Sequence, residues 1–413
     1  MKQYVIIGNG VAAAGCVEGI RSVDREGSIT IVSAERHPVY CRPLISYYLE
    51  GKTDLERIRY RPADFYEANG CTVLYGRRAV RLDPAAKTVV LDDGASLPYD
   101  ALCVAAGSSP FVPPMEGLDT VPRKFSFMTL DDALALERAV CPDSRVLIVG
   151  AGLIGLKCAE GLHGRVGSIT VCDLAPRVLS SILDDDAASM VQRHLEQSGV
   201  AFLLGDSAAR FDGARAYMQS GAAVDFDVLV LAVGVRANTA LVREAGGVCG
   251  RGITVDGYAR TSLPDVYAAG DCTETRDISD HGERSVKVMA LLPNAVMQGR
   301  CAGIGMAGGD AKPDGLIPMN SIGFFGLHIM TAGSRSGEVY EERDAGRLKR
   351  LYTQDGVLTG FILVGNVERT GIYTSLIRNQ TPLDTIDFEI LKKVPNLFSF
   401  DVEYRRKKLG SVV

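Results

Sequence analysis

Short runs of consecutive apolar residues, each stopping at a glycine or an acid, set the rhythm of the first 270 positions. "YVII" at 4–7 meets Gly8, and "SITIVSAE" ends at Glu35. "RVLIV" at 145–149 meets Gly150, and "SITVCD" ends at Asp173. "YDALCVAAG" at 99–107 and "FDVLVLAVG" at 226–234 both break at a glycine. Apolar runs without alternation mark strands buried on both faces, the habit of parallel sheets covered by helices. From about residue 314 the pattern changes. "GEVYEERDAG", "RLKRLYTQDG" and "VLTGFILVGN" read as three strands separated by Ala-Gly and Asp-Gly turns, and "VERTGIYTSLIRNQ" as an amphipathic helix.

The glycines after the first strands have a specific spacing. Residues 4–15 contain Gly8-x-Gly10-x-x-Ala13, and residues 145–160 contain Gly150-x-Gly152-x-x-Gly155, with Leu153 and Ile154 opening the helix. The first glycine makes a tight strand-to-helix turn, the second lets backbone approach a pyrophosphate, and the third position needs only a small residue, which Ala13 satisfies. Glu35 lies 27 residues after Gly8 and Asp173 lies 23 after Gly150, where a carboxylate accepts hydrogen bonds from a ribose. With the matching strand ends at Ala106-Gly107 and Gly234, the chain reads as internally duplicated. The expected class is α/β: two Rossmann-like three-layer dinucleotide-binding domains plus a small α+β C-terminal domain. Residues 1–112 and 236–313 form the first, 113–235 the second and 314–413 the last.

Composition narrows the function. A chain of 413 residues exceeds one compact core, and a formal charge of −5 gives no basic footprint for nucleic acid. No apolar run is long enough to span a membrane, and the first strand starts too close to Met1 for a secretory segment, so a cytoplasmic location is expected. Ten cysteines stand at 16, 41, 71, 103, 141, 158, 172, 249, 272 and 301. None forms a C-x-x-C or C-x4-C pair, which excludes a local redox disulfide, zinc knuckle or iron–sulfur motif; no metal site is expected.

Between 252 and 272, "GITVDGYARTSLPDVYAAGDC" ends a strand at Gly270-Asp271. With this segment the chain resembles the FAD-dependent pyridine nucleotide-disulfide oxidoreductase superfamily, most of all the NADH-rubredoxin reductases and the flavin-binding part of assimilatory nitrite reductases. The resemblance implies that Asp271 binds the flavin's ribityl hydroxyls, that the first glycine turn holds FAD and that the second holds NAD(P)H. It also puts Arg42 and Pro43 of "CRPLISYYLEG" at the flavin dinucleotide. A proline at a helix start beside a guanidinium suits a pyrophosphate. Asp173 favours NADH: two unit charges ~4 Å apart at an effective dielectric of ~20 repel by about 4 kcal/mol, which disfavours a 2′-phosphate. Arg177 is placed to soften that repulsion, so NADPH stays the second choice.

Relatives carry Gly-x-Gly-Tyr-Ile-Gly-x-Glu, whose Glu pairs with a lysine near the flavin. Here Leu153 replaces the tyrosine, Lys157 the glutamate, and Ser46 and Tyr47 stand where the lysine is expected. The resulting hypothesis is a lone Lys157 beside Tyr47, near the flavin N5, stabilising the reduced isoalloxazine; the alternative is a helix-surface lysine. Cys41 lies two residues before Pro43, the position a catalytic cysteine of NADH oxidases and coenzyme A-disulfide reductases would take. Arg42 and a helix N-terminus would depress its pKa, making it a minority candidate. His328 is expected to be structural. The cations Arg405, Arg406, Lys407 and Lys408 form either a solvated tail or an attraction for an acidic redox protein.

The leading reading is therefore an NADH-dependent flavoprotein reductase that passes electrons to a small carrier such as rubredoxin or ferredoxin. The alternatives are an oxidase or disulfide reductase using Cys41, and a flavin-bearing NADH-sensing or complex subunit. The final domain serves a monomer or a homodimer equally well.

Overall fold

The structure is a computed structural model and describes residues 1–280, 286–313 and 315–409. Two five-stranded sheets, each wholly parallel, carry the duplication. The first has the order Val266–Ala268, Ala101–Val104, Gln3–Ile7, Ser28–Ser33, Cys71–Tyr75. The second has the order Val200–Leu204, Ser168–Asp173, Arg145–Val149, Val228–Leu231, Lys124–Phe125. Their central strands are buried at 4–7 and at 146–149, as continuous apolar runs require when both faces are covered. Each half also holds a three-stranded antiparallel meander that the apolar runs did not signal. One is Ala79–Asp83, Thr88–Leu91 and Ser96–Pro98; the other is Ala208–Asp212, Arg215–Met218 and Ala223–Asp225.

The helix Val11–Arg21 crosses Leu292–Met306 through glycines on both sides. A Cβ on Gly19 would lie 2.2 Å from the Arg300 carbonyl oxygen, and one on Gly303 would lie 2.1 Å from that of Cys16. The backbones are thus in direct contact, and this crossing fixes the first glycine-turn helix against its sheet.

By contact density the chain divides into two compact units. Residues 1–181, 192–275 and 287–313 form the one that holds both parallel sheets; 182–191, 276–286 and 314–413 form the other. In the second unit an antiparallel sheet has the order Met319–Phe324, Leu327–Gly333, Val357–Val364, Leu348–Gln354, Glu338–Arg343. The three expected strands are its second half. "FFGLHIM" forms the hairpin that completes it, turning at Phe325 and Gly326 with φ of 47° and 87°, the left-handed pair of a type I′ turn. The expected helix is Gly371–Asn379, burying Tyr373, Leu376 and Ile377. His328 is exposed. Where a solvated tail was one expectation, Val402–Leu409 is helical; the side chains of Lys407 and Lys408, and residues 410–413, lie outside the described residues. Among the described residues no helix is long and apolar enough to cross a membrane.

Candidate functional site

Both glycine turns have the same build. Gly8 and Gly150 adopt φ of +109° and +117°. Their N–H groups donate to Val32 and Cys172 carbonyls, each at 2.8 Å. A Cβ at Gly8 would lie 2.1 Å from the Ala105 carbonyl oxygen, and at Gly150 2.3 Å from that of Ala232, so only glycine makes the turn. Gly10 and Gly152 then cap Val11–Arg21 and Leu153–Leu162 without any side-chain cap bond, and a Cβ on either would meet nothing within 4 Å. Open space over uncapped helix N–H groups is what a pyrophosphate needs. The third positions differ: Ala13 is fully buried, whereas a Cβ on Gly155 would lie 2.0 Å from the Gly150 carbonyl oxygen. Leu153 and Ile154 are half-buried at the helix start.

The acids are held differently in the two halves. Glu35 accepts from the Tyr40 hydroxyl at 2.6 Å and pairs with Arg42. Tyr40 also accepts from the Leu130 N–H at 2.9 Å, and Arg42 donates to the Met128 carbonyl at 3.0 Å. Asp173 instead accepts two backbone N–H groups, Ala151 at 2.7 Å and Ala175 at 2.8 Å, so it closes its own glycine turn. Arg177 is half-buried. Asp271 is the third acid: burial pushes its carboxyl above the ordinary range, opposed by the Arg42 charge and the Ser108 hydroxyl at 3.5 Å. Arg42 therefore acts on Glu35 and Asp271 together. Gly270 donates to Gln298 Oε1 at 2.9 Å, and Asn238 fastens the strand end by donating to Ala106 at 2.8 Å and to Gly107 at 3.0 Å. Gly234, with φ of +114°, opens Val235–Ala237, which pairs with Ser108–Pro110. An open helix N-terminus, the Glu35 carboxylate and the half-buried Asp271 carboxyl fit an extended dinucleotide in the first half; the second half fits one through Gly152 and Asp173.

The Arg-Pro segment is a single 3-10 turn, Arg42–Leu44, running into Ile45–Leu49, with Pro43 in the first turn and Gly51 in the left-handed region after it. Ser46 is buried and donates to the Pro43 carbonyl at 3.1 Å. Tyr47 presents its ring to Lys157, whose Nζ is 4.5 Å from the ring centroid, so the sequence reading paired these two correctly in space. It did not anticipate Glu160. Lys157 is not a lone charge: it forms an ion pair with Glu160, and the two side chains are 13% and 5% exposed. The signal was present in "LIGLKCAEGL", an otherwise apolar helix whose two charges stand three residues apart and so share one face.

Cys41 corrects a second expectation. It precedes the 3-10 turn, but burial lifts its thiol above the ordinary value, outweighing the Leu44 N–H. Arg42 is committed to Glu35 and Met128, which removes the expected depression.

Comparison with known proteins accords with this geometry. Residues 2–299 match the profile of the pyridine nucleotide-disulphide oxidoreductase family. The NADH-dependent phenylglyoxylate dehydrogenase subunit epsilon of Aromatoleum evansii is 33% identical over 397 residues, 92% of each chain. The NAD(P)H nitrite reductase of Bacillus subtilis is 31% identical over 95% of this chain and 49% of its own, so this chain spans about half of that relative. A solved chain of the covalent putidaredoxin reductase–putidaredoxin complex shares the fold, with a TM-score of 0.85 at 22% identity, over 99% of this chain and 98% of that one. The chain belongs to the pyridine nucleotide-disulphide oxidoreductase family.

Proposed function

We propose that this oxidoreductase is an NADH-dependent FAD flavoprotein reductase of the cytoplasm that hands its electrons to a separate small redox protein, rubredoxin or ferredoxin in character. One observation carries the reading: a single chain holds two glycine turns of the same geometry, one in the half where Arg42 links Glu35 and Asp271 and the other closed by Asp173. FAD, when bound, supplies hydride acceptance at N5 from the nicotinamide and single-electron release afterwards.

The chain's own groups then have defined tasks. Gly8, Gly10 and Ala13 seat the flavin pyrophosphate together with Arg42 and Pro43; Glu35 takes the adenosine ribose and Asp271 the ribityl hydroxyls, with Ala106, Gly107 and Gly270 forming the floor. Gly150, Gly152, Leu153, Ile154 and Gly155 seat the nicotinamide dinucleotide, Asp173 its ribose, and Gly234 closes that side. Lys157 and Tyr47 stand near the flavin. On this reading 1–112 with 236–313 and 113–235 are the two nucleotide domains, and 314–413 is a third that supports a monomer or a homodimer.

A second reading has a specific support: the Aromatoleum relative, matched over 92% of each chain, is by name a dehydrogenase subunit. The electron acceptor would then be a neighbouring subunit. NADH oxidation by the FAD-loaded protein, measured with rubredoxin, ferredoxin, oxygen and coenzyme A disulfide in turn, tests both. Turnover with an iron protein is expected. Turnover confined to the disulfide or oxygen, and lost in Cys41→Ser, would refute the proposal in favour of the thiol enzyme; NADH-reduced flavin that no diffusing carrier reoxidises would point to the complex subunit.

A further inference from the structure

We infer that Glu160 is a positioning residue that sets how much of the Lys157 positive charge reaches the flavin, and thereby tunes its reduction potential. The inference rests on the flavoprotein-reductase reading.

Two helices locate the pair. Ile45–Leu49 follows directly on Arg42 and Pro43, whose guanidinium pairs with Glu35 and lies in the field of Asp271. Leu153–Leu162 follows directly on Gly152. The two pack so closely that a Cβ on Gly161 would lie 2.9 Å from the Ser46 carbonyl oxygen and 3.2 Å from the Leu49 Cβ. Lys157 is five residues beyond Gly152, roughly 7.5 Å along a helix at about 1.5 Å per residue, and Tyr47 is five beyond Arg42, roughly 9 Å through a 3-10 turn at about 2 Å per residue and the helix after it. The Tyr47–Lys157–Glu160 set therefore sits about one and a half turns from both nucleotide-facing helix starts.

Burial gives the arrangement its consequence. An isolated ammonium at 13% exposure would impose a strong positive field on its surroundings, whereas its ion pair with Glu160 turns that charge into a short dipole whose field falls off faster. The Tyr47 ring also presents its negative π surface to the ammonium. Buried ion pairs contribute little to stability compared with apolar packing, so the pair reads as an electrostatic device more readily than as a staple. A flavin that gains electrons is stabilised by the ammonium and opposed by the carboxylate. Glu160 thus restrains the effect of Lys157.

The signs make the idea testable. In the FAD-loaded protein, Glu160→Gln keeps the shape and removes the negative charge, and should raise the ratio of reduced to oxidised flavin at fixed potential about tenfold, which is ~30 mV for two electrons. Lys157→Met removes the ammonium and keeps the carboxylate, and should lower the ratio by a similar factor. The double variant should return to within about threefold of the original, since both charges are gone. Potentials are read by dye equilibration, with unfolding curves and flavin content confirming that each variant folds. If Glu160→Gln loses FAD, Glu160→Asp, which withdraws the carboxylate from Lys157, carries the test with the same sign. Should Lys157→Met lower the potential while neither Glu160 variant raises it, the role of Glu160 is refuted and Lys157 keeps its place near the flavin. Should none of the variants shift it, Lys157 is not near the flavin and the inference falls with that assignment.

Discussion

Replacing Asp173 with asparagine separates a structural task of the carboxylate from the recognition proposed for it. One is structural: its oxygens accept from the Ala151 and Ala175 N–H groups at 2.7 and 2.8 Å. Asparagine has a single acceptor oxygen, so one of those N–H groups would face an amide –NH2, at a cost of about 1.5–3 kcal/mol for a lost charge-assisted bond. This loss weakens the glycine turn for NADH and NADPH equally and cancels in their ratio. The second task, on the proposed assignment, is recognition of the dinucleotide's ribose. NADH loses the charge assistance of its 2′-hydroxyl bond, about 1.5 kcal/mol. NADPH is relieved of a repulsion of up to about 4 kcal/mol at ~4 Å, which salt screening halves to roughly 2 kcal/mol. The difference, about 3.5 kcal/mol, predicts that the NADH-over-NADPH preference in kcat/KM narrows by at least about a hundredfold. Steady-state kinetics with both nucleotides and an artificial electron acceptor measures it. If both values fall together and their ratio stays fixed, Asp173 only closes the turn and the assignment of NADH to this half loses its physical basis.

Other perturbations probe the first half and the packing beneath it. Cys41→Ser should leave NADH turnover with an artificial acceptor within about twofold, because a thiol raised by burial supplies little thiolate at neutral pH; loss of turnover would favour the thiol enzyme. Asp271→Asn should weaken FAD binding, followed by flavin fluorescence on dilution, yet stabilise the flavin-free protein at neutral pH. The sign follows from the raised folded-state pKa: the ionised, buried carboxyl is a penalty above that pKa and none below the unfolded value, so the gain in stability should vanish on acidification. Equal stability of the two proteins at neutral pH would contradict the burial argument. Gly303→Ala places a methyl 2.1 Å from the Cys16 carbonyl oxygen and should cost about 1–3 kcal/mol in urea unfolding, and an unchanged midpoint would mean that the crossing helices can separate without penalty.

What the sequence disclosed follows from how each element is buried. Strands covered on both faces are uninterrupted apolar runs, so the central strands of both parallel sheets could be read from it, and their glycine turns came with them because no other residue fits beside Ala105 or Ala232. The meanders escaped because their strands are short and half exposed, "AVRLD" and "AARFD" among them, which leaves no run to notice. The hairpin around Phe325 and Gly326 escaped because "FFGLHIM" is apolar on both sides of its turn and reads equally as core. Glu160 was missed for a different reason. The i,i+3 spacing of Lys157 and Glu160 is legible in the helix, but on a solvated face such a pair carries little, and only burial gives it weight.

Burial also decides which thiol reacts, and this gives the sharpest separation of chemistry from coincidence among the ten cysteines. Desolvation raises Cys41, Cys158, Cys249, Cys272 and Cys301, and lifts Cys71 to about 11 and Cys172 to about 12. Cys141 alone among these thiols is exposed and shifted down, chiefly by the Ser144 hydroxyl. Its place argues against a redox role. It precedes the strand Arg145–Val149, whose opposite end carries Gly150, so five residues of strand at ~3.3 Å each, roughly 16 Å, separate its end of the strand from the second glycine turn. Limited alkylation with iodoacetamide at neutral pH, mapped by peptide mass, should therefore label Cys141 first and leave NADH turnover intact. Preferential labelling of Cys41, or loss of turnover with Cys141 alone modified, would overturn the ordering and return a thiol to the mechanism.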